Sequence, residues 1–492
     1  MENVFDIAIF GGGVIGSCIF SELCRIGKNC IIIEKNDFAS GESKANSGIV
    51  HAGFDAMPNT LKAKFNVRGS NLYKTMCKRL GVPYKQIGAY VLGNNLDIVK
   101  KLYDRGLQNG LKPSDLEILQ RDELIKRIPN LNNNINCGLF AKKSAIVSPY
   151  LLNICLAEEG VINGGKYRTF FNTEKIEYKN NLFYIQGNNE TILARTIINA
   201  SGFGYNEIAK MLNVEQYNIN FRRGEYYVLD HSEKDIVSAT LFPLPSQKGK
   251  GVLITPTVDG NILVGPNATT SENITKTTLE GLNEIKLKSN NLINNLNLKK
   301  TIRQFAGIRT CVDDDFVVEK SKLNNNVINI AGICSPGLSS APAIAEYVVK
   351  LLGFNSKKVS TNKIKPYFLA KDLPKSKYEM LVKKDPSFGK IICKCEMITK
   401  GDIVFALNRP IKVLTIDGIK RRVRAGMGRC QSGFCLDKVA KIIAKENNIS
   451  VFDVLKEYPN SQIFVNEIKG DANDWYNCYW RWTCWYGGCT FG

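Results

Sequence analysis

The chain has two histidines in 492 residues, and one of them sits where chemistry could use it. His51 lies in Asn46-Ser47-Gly48-Ile49-Val50-His51-Ala52-Gly53, a run of small side chains that lets a flat ring approach the backbone. An imidazole that titrates near neutrality can take the proton of a hydroxyl while hydride leaves the carbon. Taken alone, the plainer reading is the stronger one: a loop histidine that only hydrogen-bonds its neighbours. A second reactive set lies far downstream. Cys393-Lys394-Cys395 and Cys430-Gln431-Ser432-Gly433-Phe434-Cys435 give C-x-C and C-x4-C with 34 residues between. Four thiolates suffice for a [2Fe–2S] cluster. Zinc is the rival metal, although its sites favour wider cysteine pairs than C-x-C. Lys420, Arg421, Arg422, Arg424 and Arg429 lie just before the second pair and are placed to offset a cluster's negative charge.

The third constellation is Gly11-Gly12-Gly13-Val14-Ile15-Gly16, a G-x-G-x-x-G motif. Gly11 permits the tight turn, Gly13 lets the backbone reach a pyrophosphate, and Gly16 lets helix and strand pack closely. The free N–H groups of the helix start then face the phosphates. Glu34, 18 residues past Gly16, can accept hydrogen bonds from the ribose hydroxyls. The residues by themselves leave FAD and NAD open.

These groups need elements to hold them. Phe5–Phe10 and Cys30–Ile33 read as buried strands on either side of a helix at Val14–Ile26. Apolar spacing predicts helices over Leu61–Leu80, Leu92–Gly110 and Pro149–Gly160, and one near Pro342–Leu352. Arg195–Ala200 and Val327–Ala331 read as strands, and Tyr226–Gly265 as strands and turns. After Gly353 the composition turns to Lys and Pro, as in a linker.

Beyond the glycine motif, Ile197-Ile198-Asn199-Ala200-Ser201-Gly202 resembles a strand-to-turn motif of FAD-linked reductase families. Ile330-Ala331-Gly332 followed by Ser335-Pro336-Gly337 resembles their last flavin-contacting segment. Ser47–Gly53, Arg222–Tyr226, Lys250–Leu253 and Phe305–Arg309 are similar to motifs of FAD-dependent glycerol-3-phosphate dehydrogenases and oxidases, in the D-amino-acid-oxidase-like superfamily. That likeness runs from about residue 4 to 354. It implies FAD as cofactor, His51 as a base, and Arg309 and Lys250 facing an anionic group on a small hydroxylated substrate. Ser47 and Ser335 would be secondary polar contacts, and Ser201, Gly202, Gly332 and Gly337 flavin contacts. Taken as residues alone, the bland alternative for Arg309 is a surface ion pair, the lesser of its readings, and that for Lys250 a solvated turn lysine, evenly balanced. Residues 391–448 resemble the bacterioferritin-associated-ferredoxin-like [2Fe–2S] domain, which implies Cys393, Cys395, Cys430 and Cys435 as cluster ligands.

The architecture expected is α/β: a Rossmann-like FAD-binding domain (1–90, 141–215, 301–354) with an interleaved antiparallel-sheet substrate domain (91–140, 216–300). A linker (355–390) leads to a small helical iron–sulfur domain (391–460). The reaction expected is oxidation of sn-glycerol 3-phosphate to dihydroxyacetone phosphate, with hydride to the flavin and electrons onward through the cluster to a protein or quinone acceptor. The related 2-hydroxyglutarate and amino-acid enzymes share the fold and need cationic anchors, so Arg309 alone does not separate them. An electron-transfer subunit of a larger flavoprotein complex is the reading from another class.

Composition limits the rest. The net charge is +20, but the lysines are scattered among asparagines, so no nucleic-acid-binding face is expected. The 15 cysteines are scattered through a large chain, unlike a disulfide framework, and Cys18, Cys24 and Cys155 read as small core residues. No signal peptide and no uncharged apolar run of 18 residues are seen, which points to the cytoplasm. Peripheral association with the inner face of the membrane through a partner is compatible with that. Residues 470–492, which hold all four tryptophans, read as an appendage outside the fold.

Overall fold

The computed structural model describes residues 4–245, 251–270, 276–313, 315–355, 357, 359 and 362–467, and the backbone of 478–480. Strand β1 (Val4–Phe10), helix α1 (Val14–Arg25) and strand β2 (Cys30–Ile33) open the chain as a βαβ unit with parallel strands. Every residue of β2 is buried. A strand covered on both faces needs no polar alternation, hence Cys-Ile-Ile-Ile. β1 shows the two faces directly: Ile7 and Ile9 enter one core cluster, Ala8 and Phe10 the other.

Helix α2 (Leu61–Leu80) starts at Thr60, whose hydroxyl accepts from the Ala63 N–H, and ends at Gly81 in the left-handed region. Helix α3 (Pro149–Ile162) packs on α1, and strand β3 (Glu190–Asn199) runs parallel to β1. Strands β4 (Asn220–Leu229) and β5 (Thr301–Cys311) pair antiparallel, with Arg222 opposite Arg309 and Tyr226 opposite Phe305. Strand β6 (Val327–Ala331) joins β3 in parallel and leads to helix α4 (Gly337–Leu351). The result is an eight-stranded, mainly parallel sheet and a nine-stranded, mainly antiparallel one. The ends of β4 and β5 carry the second sheet toward the first.

Two stretches differ from their sequence patterns. Leu92–Gly110 is not one helix: Ala89–Gly93 is a strand, and the helix spans Leu96–Gln108. Asn95 separates them by accepting from the Asp97 and Ile98 N–H groups. Helix α4 begins at Gly337, upstream of Pro342, which sits inside it. Pro342 offers no N–H to the Leu338 carbonyl four residues back, and the Tyr73 hydroxyl donates to that carbonyl instead.

The segment after α4 lies along the first unit. Asn362 exchanges hydrogen bonds with Asn163, and an added Cβ at Gly81 would press on Pro366. A helical unit with its own core follows, around Ile398, Ile403, Val413, Ile419 and Ile443. It includes helices α5 (Ile416–Val423) and α6 (Leu436–Asn447). Its cations dock it to the rest of the chain. Arg421 pairs with Asp37, Arg424 with Asp259 and Glu396, Arg429 with Asp230, and Arg409 with Glu158. Lys420 faces Asp417, and Arg422 faces Asp37. These cations are therefore held by carboxylates. Arg429, which pairs with Asp230, also brings its charge near Cys395. Of residues 470–492, Cys478–Trp480 are described, as a strand antiparallel to Phe464–Glu467; the remainder lies outside the described residues. No helix among the described residues is long and apolar enough to cross a membrane.

Candidate active site

A cavity of about 800 Å3 runs from the start of α1 to the ends of β4 and β5. Its first end is the glycine turn. Gly11 has φ +102°, and a Cβ there would fall 2.4 Å from the Ala200 carbonyl oxygen, so only glycine fits. Gly13 is different: a Cβ there would meet only the Ser43 hydroxyl, at 3.2 Å, and would fill the space where a phosphate could approach. Gly16 does not line the cavity. It lets α1 press against the turn, since its Cβ would lie 2.0 Å from the Gly11 carbonyl oxygen.

Glu34 lines the cavity at the end of β2. Its carboxylate accepts from the Gly12 N–H (2.6 Å) and the Asn36 N–H (2.8 Å), while burial pushes its pKa up. Ser201 and Gly202 follow β3 into the wall, and the Ser201 hydroxyl donates to Asn199 Oδ1 at 2.6 Å. Gly332 and Gly337 form the wall where β6 turns into α4. An elongated cavity with a helix start, an acidic strand end and bare glycine backbone suits a dinucleotide.

The other end collects the residues of the substrate side. His51 is buried and lines the cavity, its ring 5.7 Å from that of Phe242. Its backbone is fixed from two helices: the His51 N–H donates to Ser339 Oγ at 2.8 Å, and Asn66 donates to the His51 carbonyl at 3.0 Å. Arg309 lines the same cavity and donates from one Nη to the Asn267 carbonyl at 2.6 Å. Gly224 makes room for it, because a Cβ there would lie 3.0 Å from the guanidinium. Ser47 and Ser335 also line this end. Lys250 lies outside the described residues, next to Gly251 in the wall.

Lys62 and Ser339 also belong to this site and carry no sequence motif, whereas Arg222 and Tyr226 lie in the family-like run 222–226 without a role assigned from sequence. Along β4, Arg222, Gly224 and Tyr226 line the cavity while Arg223 and Glu225 pair behind it at 3.1 Å. That strand alternation was the available signal for Arg222 and Tyr226. Burial pushes the Tyr226 phenol up to about 12, so it stays protonated beside Ser47 and Arg309. Lys62, Arg222 and Arg309 are cations in the cavity lining, which also holds the carboxylates of Glu284 and Asp313.

In the C-terminal unit no three or more His, Cys, Asp or Glu side chains among the described residues gather as for a single ion. The four cysteines instead meet as two pairs, Cys393 with Cys435 and Cys395 with Cys430. Two thiols for each of two irons is the donor set of a [2Fe–2S] centre. The hydrogen bond with Cys435, aided by backbone N–H groups of Gly426 and Glu396, pulls the Cys393 thiol down to about 6 against the effect of burial. Cys395 is exposed and Cys435 buried, so the site lies at the unit's edge.

The family profile "FAD dependent oxidoreductase" matches residues 6–351, and "BFD-like [2Fe-2S] binding domain" matches residues 391–445. A glycerol 3-phosphate dehydrogenase of Caloramator mitchellensis is 41% identical over 481 residues, covering 95% of this chain and all of that protein. A glycerol 3-phosphate oxidase of Mycoplasma genitalium is 33% identical over 72% of this chain and 96% of its own length. Among solved structures, dithionite-reduced L-alpha-glycerophosphate oxidase from Mycoplasma pneumoniae with FAD bound superposes with a TM-score of 0.70. It is 29% identical and covers 73% of this chain and 97% of its own.

Proposed function

The chain belongs to the FAD dependent oxidoreductase family, and from that premise we propose that it oxidises sn-glycerol 3-phosphate to dihydroxyacetone phosphate. The observation that carries the reading is the full-length likeness to a glycerol 3-phosphate dehydrogenase, cluster domain included. The cavity supports it, with an imidazole and a guanidinium at the end away from the glycine turn.

FAD supplies the hydride acceptor, and the [2Fe–2S] cluster supplies one-electron transfer onward. Gly11 and Gly13 would lie against the pyrophosphate, Gly16 would keep the turn tight, and Glu34 would hold the ribose. Ser201, Gly202, Gly332 and Gly337 would line the flavin. Cys393, Cys395, Cys430 and Cys435 would ligate the cluster.

His51 takes the C2 hydroxyl proton on its ring nitrogen as the carbon is oxidised. Ser339 and Asn66 fix its backbone, and Phe242 limits where the ring can turn. Arg309 holds the phosphate. One of its N–H groups is already committed to Asn267, which aims the rest of the fork into the cavity. Lys250 is the second anchor, and Ser47 and Ser335 add polar contacts. Residues 391–460 act as an electron exit toward a protein or quinone acceptor. That acceptor is where association with the inner membrane face would arise.

The test is anaerobic bleaching of the flavin band. Glycerol 3-phosphate should bleach it at low concentration, whereas L-2-hydroxyglutarate and amino acids should not. Bleaching by 2-hydroxyglutarate alone would move the chain to that activity. Bleaching by a reduced protein partner alone would make it an electron-transfer subunit.

A further inference from the structure

Most of the described cysteines upstream of the cluster unit are buried. Cys311 and Cys334 are not: both are partly exposed, and both line the substrate cavity. They come from separate elements, Cys311 from the last residue of β5 and Cys334 from the turn after β6. Those segments touch. A Cβ on Gly332 would lie 2.9 Å from the Val312 nitrogen, one residue from Cys311. The turn is closed by the Cys334 N–H, which donates to the Gly332 carbonyl at 2.8 Å, and the Cys334 thiol lies 3.6 Å from the Ser335 carbonyl. The Cys311 and Cys334 thiols face each other; that contact and burial push the Cys311 thiol up, against the opposing pull of the Arg222 and Lys62 charges.

We propose that Cys311 and Cys334 form a dithiol that hydroperoxides convert to a disulfide, locking the wall of the substrate cavity. One thiolate attacks a peroxide oxygen, the O–O bond breaks, and a sulfenic acid forms with release of water or an alcohol. The second thiolate attacks that sulfur, the S–O bond breaks, and the departing hydroxide takes up a proton and leaves as water. The two sulfurs lose two electrons in all, and the peroxide is reduced by two. The bond would tie the strand end that carries Arg309, two residues upstream, to the loop that carries Ser335. Neither Arg309 nor the α4 start could then adjust around a substrate, so turnover falls until a thiol reductant reopens the bond. The thiol chemistry is independent of which substrate the cavity takes; only the turnover arm rests on the function proposed above.

The experiment treats FAD- and cluster-loaded protein with hydrogen peroxide, blocks remaining thiols by alkylation, and maps peptides without reduction. The expected result is a linked peptide joining Cys311 to Cys334, lost on adding dithiothreitol, with most of the turnover lost and regained in parallel. Cys311→Ser and Cys334→Ser, checked for folding by their flavin spectra, should each lack the link and the reversible loss. Peroxide oxidation confined to the cluster cysteines, with Cys311 and Cys334 still alkylated, would overturn the proposal. So would an equal, reversible loss of turnover in Cys311→Ser.

Discussion

Replacing Arg409 by methionine tests one of the deeply buried ion pairs between the cluster unit and the flavin unit. Glu158 on α3 is fully buried, and its partner's side chain is only 4% exposed. The carboxylate accepts from Arg409 Nε at 3.0 Å and from the Tyr367 hydroxyl at 2.8 Å. The guanidinium also donates to the Lys365 carbonyl and lies 4.2 Å from the Tyr367 ring centroid. Arg409→Met removes the only cation in this set and leaves a buried carboxylate held by one hydroxyl. Breaking a buried pair from one side costs about 3–5 kcal/mol. At about 2–4 °C per kcal/mol for a large domain, the unfolding midpoint should fall by about 6–20 °C. Adding Glu158→Gln should restore most of it, because the stranded charge is then gone. Differential scanning calorimetry of the wild type, both single variants and the double variant gives the comparison. A midpoint unmoved by Arg409→Met, or a double variant no more stable than Arg409→Met, would show that a stranded Glu158 carboxylate is not what the substitution costs.

Three further outcomes follow from named contacts. His51→Gln should keep its FAD but lose at least ~10²-fold in turnover, the lower end for a general base, measured as kcat at saturating substrate. Gly16→Ala places a methyl 2.0 Å from the Gly11 carbonyl oxygen, so the turn must open; the purified protein should lose FAD on gel filtration, read as the ratio of flavin to protein absorbance. Burial alone would raise the Glu215 carboxyl, but hydrogen bonds, led by Ser321 and joined by the Lys322 N–H and Asn329, hold it at about 2. A lowered folded pKa stabilises above the unfolded value, near 4.3, and that contribution disappears as pH falls toward 2. The stability advantage of the wild type over Glu215→Gln should therefore be full at pH 7 and fade between about pH 4 and 2, followed by denaturant unfolding.

Legibility followed the range of the interaction. β1, α1 and β2 were readable because burial on both faces and the glycine turn are local in sequence. Val327–Ala331 and Leu61–Leu80 have the bounds their apolar patterns predict. Asn95 was the missed stop between strand and helix, since its capping bonds show only once the chain turns. The α4 start was hidden by Pro342, because the hydroxyl that covers the freed carbonyl comes from Tyr73, far back in α2. In the site, His51, Ser47 and Arg309 could be named from motifs, whereas Ser339 could not: its contact with His51 spans 288 residues. The basic run 420–429 shows the same limit from the other side. Its charge was visible, but its partners Asp37, Asp230 and Asp259 come from distant turns.

Under the proposed function, electrons leave a glycerol phosphate in the cavity lined by His51 and Arg309 and reach the cysteine cluster of the same chain. Anaerobic addition of sn-glycerol 3-phosphate to the fully loaded protein, followed in parallel by visible absorption and low-temperature electron paramagnetic resonance, tests it in one sample. The flavin should bleach together with the appearance of the signal of a reduced [2Fe–2S] centre, both absent in His51→Gln on the same time scale. An oxidised flavin and a silent cluster after prolonged incubation with substrate would contradict it.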